Sequence, residues 1–181
     1  MPVTAQLIPV GTWTADPVHS STAFEVEHLG VSTFSATFSD VEATLVANED
    51  AIALEGGALI ESVSVKEPDF RGHLLSPEFF DVERHAHIRF ASTDVRPNGE
   101  GEIAVDGDLT IKGTTRRISA AGRVGKPGVD PSGRERIAVE LETTVDRRDF
   151  GLGWNMELPN GKLAVGNEVR LLASLEFVKA G

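Results

Sequence analysis

The chain of 181 residues contains no cysteine, which excludes disulfides, thiolate metal sites and cysteine nucleophiles. An excess of basic residues is also missing. Lys and Arg total 17 against 28 Asp and Glu, a formal charge of −11. A nucleic-acid binder neutralises phosphates with surplus Lys and Arg, so nucleic acid is not an expected partner. Electrostatic docking on an anionic membrane is disfavoured for the same reason. No apolar run approaches the ~20 residues of a membrane-spanning helix, so no integral membrane segment is expected. The start, MPVTAQLIPVGTW, has neither a basic n-region nor an apolar h-region. No secretory signal is read there, and the expected location is cytoplasmic. Gly-x-Ser-x-Gly, His-Glu-x-x-His and phosphate-loop motifs do not occur. The chain is therefore expected to be non-enzymatic and to carry no cofactor and no metal.

What the sequence does have is alternation. Residues 1–10 read as an N-terminal extension and residues 11–181 as one domain, long enough to bury a core without staples. Phe24, Val26 and His28 share one face while Glu25 and Glu27 take the other, the pattern of a half-buried strand. Phe34, Ala36 and Phe38 continue it. The apolar phase then moves to Val41, Ala43 and Leu45, as a β-bulge would produce. Glu55-Gly56-Gly57 reads as a turn. Ile103 to Ile111, Ile118 to Val124, Ile137 to Val145 and Val169 to Phe177 each keep a period of two. Eight or nine such strands without a βαβ rhythm define an all-β antiparallel barrel or sandwich. Several run to ~10 residues against the usual ~5–6, which favours an elongated eight-stranded barrel. Its inward set includes Ala36, Ala43, Gly107, Ala120 and Gly122, and small inward residues imply a cavity.

One segment breaks the pattern. Asp69 to Phe90, DFRGHLLSPEFFDVERHAHIRF, is too apolar for a surface excursion. Phe70 and Leu74 are spaced as on one helix face, and Ser76-Pro77-Glu78 reads as a helix start with Ser as cap. A short helical insertion that plugs or lids the barrel is expected here.

The chain also resembles the YceI-like, or polyisoprenoid-binding, proteins. The resemblance is carried by Trp13-Thr14-Ala15-Asp16-Pro17-Val18-His19-Ser20, by Phe24-Glu25-Val26-Glu27-His28-Leu29-Gly30 and by His73-Leu74-Leu75-Ser76-Pro77-Glu78-Phe79-Phe80-Asp81. Gly107-Asp108-Leu109-Thr110-Ile111-Lys112-Gly113 and Asp146-Arg147-Arg148-Asp149-Phe150-Gly151-Leu152 complete it. Each piece alone is weak, and five in order are strong. The resemblance implies an extended lipocalin-like barrel that binds an isoprenoid or other long-chain amphiphilic lipid for storage or transport. Many members are periplasmic, whereas no signal sequence is read in this chain. The resemblance and the long exposed strands together admit a homodimer.

The expected tunnel wall is Phe24, Val26, Phe34, Phe38, Phe70, Leu74, Leu75, Phe79, Phe80, Phe90, Phe150 and Trp154, which would equally serve an ordinary core. His19, His28, Arg71 and Arg148 are the expected head-group contacts, an Arg being able to grip a diphosphate bidentately. Arg147 belongs to the same basic group. Arg148 and Asp149 are expected to fix the bend into Phe150-Gly151-Leu152. His85 and His87 are read as a surface pair, not metal ligands. Two alternatives stand beside the carrier: an enzyme acting on such a lipid through His19, His28 or Asp149, and a solid-core structural or partner-binding barrel.

Overall fold

The computed structural model describes residues 7–181. Of the expected extension, residues 1–6 lie outside the described residues. Ile8 is fully buried, and the carbonyl of Pro9 accepts a hydrogen bond from Trp13 Nε1 at 3.0 Å.

The strands are β1 (Gly11–Ala15), β2 (Ser21–His28), β3 (Ser32–Phe38), β4 (Val41–Ala47) and β5 (Ile52–Leu59), then β6 (His87–Pro97), β7 (Glu102–Ile111) and β8 (Thr114–Val124). The short β9 (Gly128–Val129), β10 (Glu135–Asp146) and the long β11 (Val165–Lys179) complete the chain. All pairings are antiparallel. The β10–β11 pairing closes the sheet on itself.

Two ring positions are each filled by a broken strand. β1 and β2 lie end to end along β11, with Ala15 opposite Phe177 and Ser21 opposite Ser174. β3 and β4 likewise lie end to end, β3 on β2 and β4 on β1. The ring therefore has eight positions, as the alternation implied. The phase change read as a bulge at Asp40 is in fact the break between β3 and β4. There the Asp40 amide donates to Ser62 Oγ at 3.0 Å.

Gly56 and Gly57 do not form a turn; they sit in the middle of β5. A methyl on Gly56 would lie 2.6 Å from the Glu42 carbonyl oxygen, and one on Gly57 would lie 2.5 Å from that of Ile88. Close strand approach, not chain reversal, requires glycine there. Gly107 leaves no empty volume either, because a methyl would meet Phe90 Cζ at 2.4 Å. Gly122 is crowded by the Glu140 carbonyl in the same way. Ala43 and Ala120 do border a cavity.

The lower part of the barrel is solid. Trp13, Leu45, Ile103, Val105, Ile137, Val139 and Phe177 are buried there. At the upper part β8 and β10 separate, since their ladder ends at Glu142 opposite Ala121. Thr143 Oγ1 donates across the gap to the Ser119 carbonyl at 2.8 Å. A 3-10 turn, Arg147–Phe150, fills the space with a fully buried Phe150.

The bend between β1 and β2 is fastened by charge. Asp16 accepts from Arg136 Nη1 at 2.8 Å and faces His19 Nδ1 at 2.9 Å, and Arg136 also reaches Asp130 and Glu176. Hydrogen bonds to His19 and Arg136 hold the Asp16 carboxyl below the usual carboxylate range. The Asp16 hydrogen bond and then the Glu176 charge raise His19 above its ordinary value of 6.5.

Two outcomes are expected. Gly107→Ala should cost about 1–3 kcal/mol in urea denaturation, by forcing Phe90 off its rotamer; a loss below 0.3 kcal/mol would contradict the packing described. The raised His19 value means that its stabilising contribution is complete below about pH 6.5 and is lost as pH rises through the raised value. The melting temperature of His19→Asn should therefore fall below wild type at about pH 6 and converge on it by about pH 9.

Candidate binding cavity

Between the solid floor and the segment that follows β5 lies unfilled apolar space in two chambers. The upper chamber has a volume of about 410 Å³ and the lower about 150 Å³. Phe38, Ile88, Ile111 and Leu171 line both, so the chambers adjoin.

The segment roofs the upper chamber. Its helix, α1 (Pro68–Leu75), starts at Pro68 with Glu67 as cap; the Glu67 carboxylate accepts from the Asp69 and Phe70 amides. The helix start expected at Ser76 is thus displaced, and Ser76 ends α1 instead. Glu67-Pro68 places an acceptor side chain before a proline as Ser76-Pro77 does, nine residues earlier, and Glu is outside the usual cap set, which hides this start in the sequence. Tight turns follow, with the Phe80 amide bonding the Leu74 carbonyl at 3.1 Å and the Val82 amide bonding that of Leu75 at 3.0 Å. These turns bury Phe79 and Phe80 beside Leu74.

Of the twelve residues expected on a tunnel wall, Phe24, Val26, Phe34, Phe38, Phe70, Leu74, Phe79, Phe80 and Phe150 line the upper chamber. Phe90 lines the lower one. Leu75 and Trp154 line neither and pack against the core from outside. Trp154 backs the roof, with its ring 5.5 Å from Phe79 and 4.6 Å from His73. Residues not foreseen are Ile88, Ile111, Val145, Leu152, Val165, Val169 and Leu171 above, and Leu109, Ile118, Leu141, Ala173 and Leu175 below. Most are in-phase strand positions; aromatic residues drew attention first, although the aliphatic ones supply much of the wall.

Of the expected head-group residues only His28 lines the chamber. His19 belongs to the charged bend by β1. Arg71 is a backbone clamp, donating to the carbonyls of Glu61 at 2.6 Å and Val63 at 3.0 Å. Arg148 is exposed and paired with Asp146 at 2.6 Å, and the same carboxylate caps the turn through the Arg148 amide. The bend is thus fixed by Asp146 and Arg148, not by the Arg148 and Asp149 pair expected. Arg148 and Asp146 shift each other, and the Asp146 carboxyl is lowered to about 2.

Arg147 is the arginine that reaches the chamber. It is buried, and its guanidinium donates to the carbonyls of Gly166 at 2.8 Å, Trp154 at 2.9 Å, Leu152 and Val165, and to Asn167 Oδ1. Burial pushes its pKa down, opposed by the Asp146 charge. All its donors are engaged by protein oxygens, so Arg147 ties the 3-10 turn to β11 and has no fork left for a diphosphate.

The mouth lies where exposed Glu27 and His28 meet Phe34 and Phe70. The Phe34 and Phe70 rings stand edge to face across it, 5.2 Å between centroids. Phe70 is 39% exposed. Thr22, Glu42, Arg89, Glu142 and Thr143 are the polar residues bordering the lower chamber, and the Thr22 hydroxyl is buried without a hydrogen-bond partner.

Fold and cavity together define an antiparallel β-barrel enclosing an apolar, ligand-sized space. The YceI-like domain matches residues 13–177, and the chain belongs to that family. It is 31% identical over 165 residues to a UPF0312 protein of Serratia proteamaculans, covering 90% of this chain and 82% of that one. A UPF0312 protein of Staphylococcus epidermidis is 30% identical, with 90% and 94% covered. Among solved structures, BcnA of Burkholderia cenocepacia superposes with a TM-score of 0.77 at 18% identity, covering 90% of this chain and 98% of that one. A polyisoprenoid-binding domain from Saccharophagus degradans has a TM-score of 0.69 at 12% identity, covering 93% and 98%. No helix among the described residues is long and apolar enough to cross a membrane.

Phe70→Ala should open the mouth at little cost to the fold, because the ring is partly in water already. Release of a bound apolar fluorophore should speed up about tenfold, while the urea midpoint stays near wild type. An unchanged release rate would place the mouth elsewhere.

Proposed function

We propose that this protein binds one extended amphiphilic lipid, of isoprenoid type, as a non-enzymatic carrier or reservoir. The tail lies along the two chambers and the head sits at the mouth beside Glu27 and His28. The observation that carries this reading is the adjoining pair of apolar chambers, about 410 and 150 Å³, above a packed floor. An isoprenoid tail offers no hydrogen bonds, so burial alone must hold it. At roughly 25 cal/mol per Å² of apolar surface removed from water, a wall of Phe, Leu, Ile and Val supplies that without polar contacts. The Saccharophagus domain of similar fold, described as polyisoprenoid-binding, supports the ligand class.

Two observations weigh against the alternatives. An enzyme would gather titratable groups deep in the cavity. His19 and Asp149 line neither chamber, and His28 stands at the exposed rim. A solid-core barrel would leave no such volume.

Solvent extraction of the purified protein followed by mass spectrometry should recover a long-tailed lipid at up to one per barrel. Recovery of none, together with failure of the delipidated protein to take up an isoprenoid alcohol, would overturn the proposal.

A further inference from the structure

The cavity ends on a packed floor, and its depth sets a length. The floor of the lower chamber is built from cross-strand pairs in which one partner touches the chamber and the other is sealed in the core. Ala120 pairs with Val105, Leu175 with Val139, and Leu54 with Leu45. Val105 and Val139 are fully buried, and Trp13 and Phe177 close the space beneath them. The gap between β8 and β10 is bridged by the Thr143–Ser119 hydrogen bond, with Phe150 buried beside it. At the other end the upper chamber reaches the mouth between Phe34 and Phe70.

We propose that this closed floor makes the barrel a length gauge, selecting lipids whose tail has about 20 carbons, or four isoprene units. The inference rests on the lipid-binding reading above. The chambers hold about 410 and 150 Å³, about 560 Å³ together. An apolar cavity of ~150 Å³ accepts benzene, so each carbon needs on the order of 25 Å³ and the tunnel takes roughly 22. Shorter tails leave volume unfilled. Longer ones extend past Phe34 and Phe70 into water, where added methylenes contribute nothing. The lower chamber accounts for about six of those carbons, roughly one isoprene unit. Ala43 and Ala120 keep it open, because each borders it with a side chain of a single methyl group.

The test is displacement of a bound fluorophore from the delipidated full chain by isoprenoid alcohols of two, three, four, five and nine units. Each methylene buried tightens binding about fourfold, so affinity should climb at least tenfold per unit up to four units. From five to nine units it should stay within about threefold. In Ala120→Leu or Ala43→Leu the break should move down by about one unit, with two-unit binding retained. Two variants guard against a folding defect in either, and a melting curve identifies one that fails. Affinity that keeps climbing to nine units at the initial slope would overturn the gauge while leaving lipid binding intact. So would a break at the same length in both folded variants. Failure of every alcohol to bind would overturn the lipid-binding reading itself.

Discussion

The seam between β10 and β11 decides what this barrel contains. Eleven consecutive residue pairs run from Arg136 opposite Val178 to Asp146 opposite Glu168, with no interruption. That register aims Ile137, Val139, Leu141, Thr143 and Val145 inward together with Phe177, Leu175, Ala173, Leu171 and Val169. A slip by one residue would turn the whole set to solvent and bring Glu140 and Glu142 inside, so the seam has one acceptable alignment. It also sets the internal profile. At its lower end Ile137 faces Phe177, and the floor is filled. Towards its upper end Leu141 faces Ala173 and Thr143 faces Leu171, and space remains. The hollow thus follows from the order of side-chain sizes along two strands.

That hollow persists because the roof is held from outside and does not collapse inward. Arg71 grips carbonyls of the chain between β5 and α1, Lys112 Nζ donates to the Pro77 carbonyl at 2.6 Å, and Trp154 backs Phe79. Arg147 plays the corresponding part on the β11 side, with its charge spent on protein carbonyls. Arg71, Arg147 and Arg148 near the upper chamber are structural fasteners, which leaves Glu27 and His28 at the mouth.

Much of this was legible in the sequence. Period-two alternation is dictated by the pleat, so the strands and the eight-position ring could be read directly, and the family resemblance rested on five ordered pieces. The large apolar residues of the Asp69–Phe90 segment were also readable as a roof, since nothing else explains Phe70, Leu74, Phe79 and Phe80 together. Other features were hidden because their causes are non-local. Gly56-Gly57 looks like a turn until the Glu42 and Ile88 carbonyls are seen beside it. Gly107 looks like vacant volume until Phe90 fills it. Arg147 and Arg148 are neighbours of identical type, and only the fold shows that one is buried against β11 and the other lies in solvent on Asp146.

The central claim is that a lipid tail occupies the barrel interior down to the floor. It is tested most directly by a crystal structure with a lipid brominated at the end of a tail of about 20 carbons. The account predicts one anomalous bromine peak in the lower chamber, between Ala120 and Leu175. A peak on the outer surface of the barrel, or confined to the mouth beside Phe34 and Phe70, would contradict it.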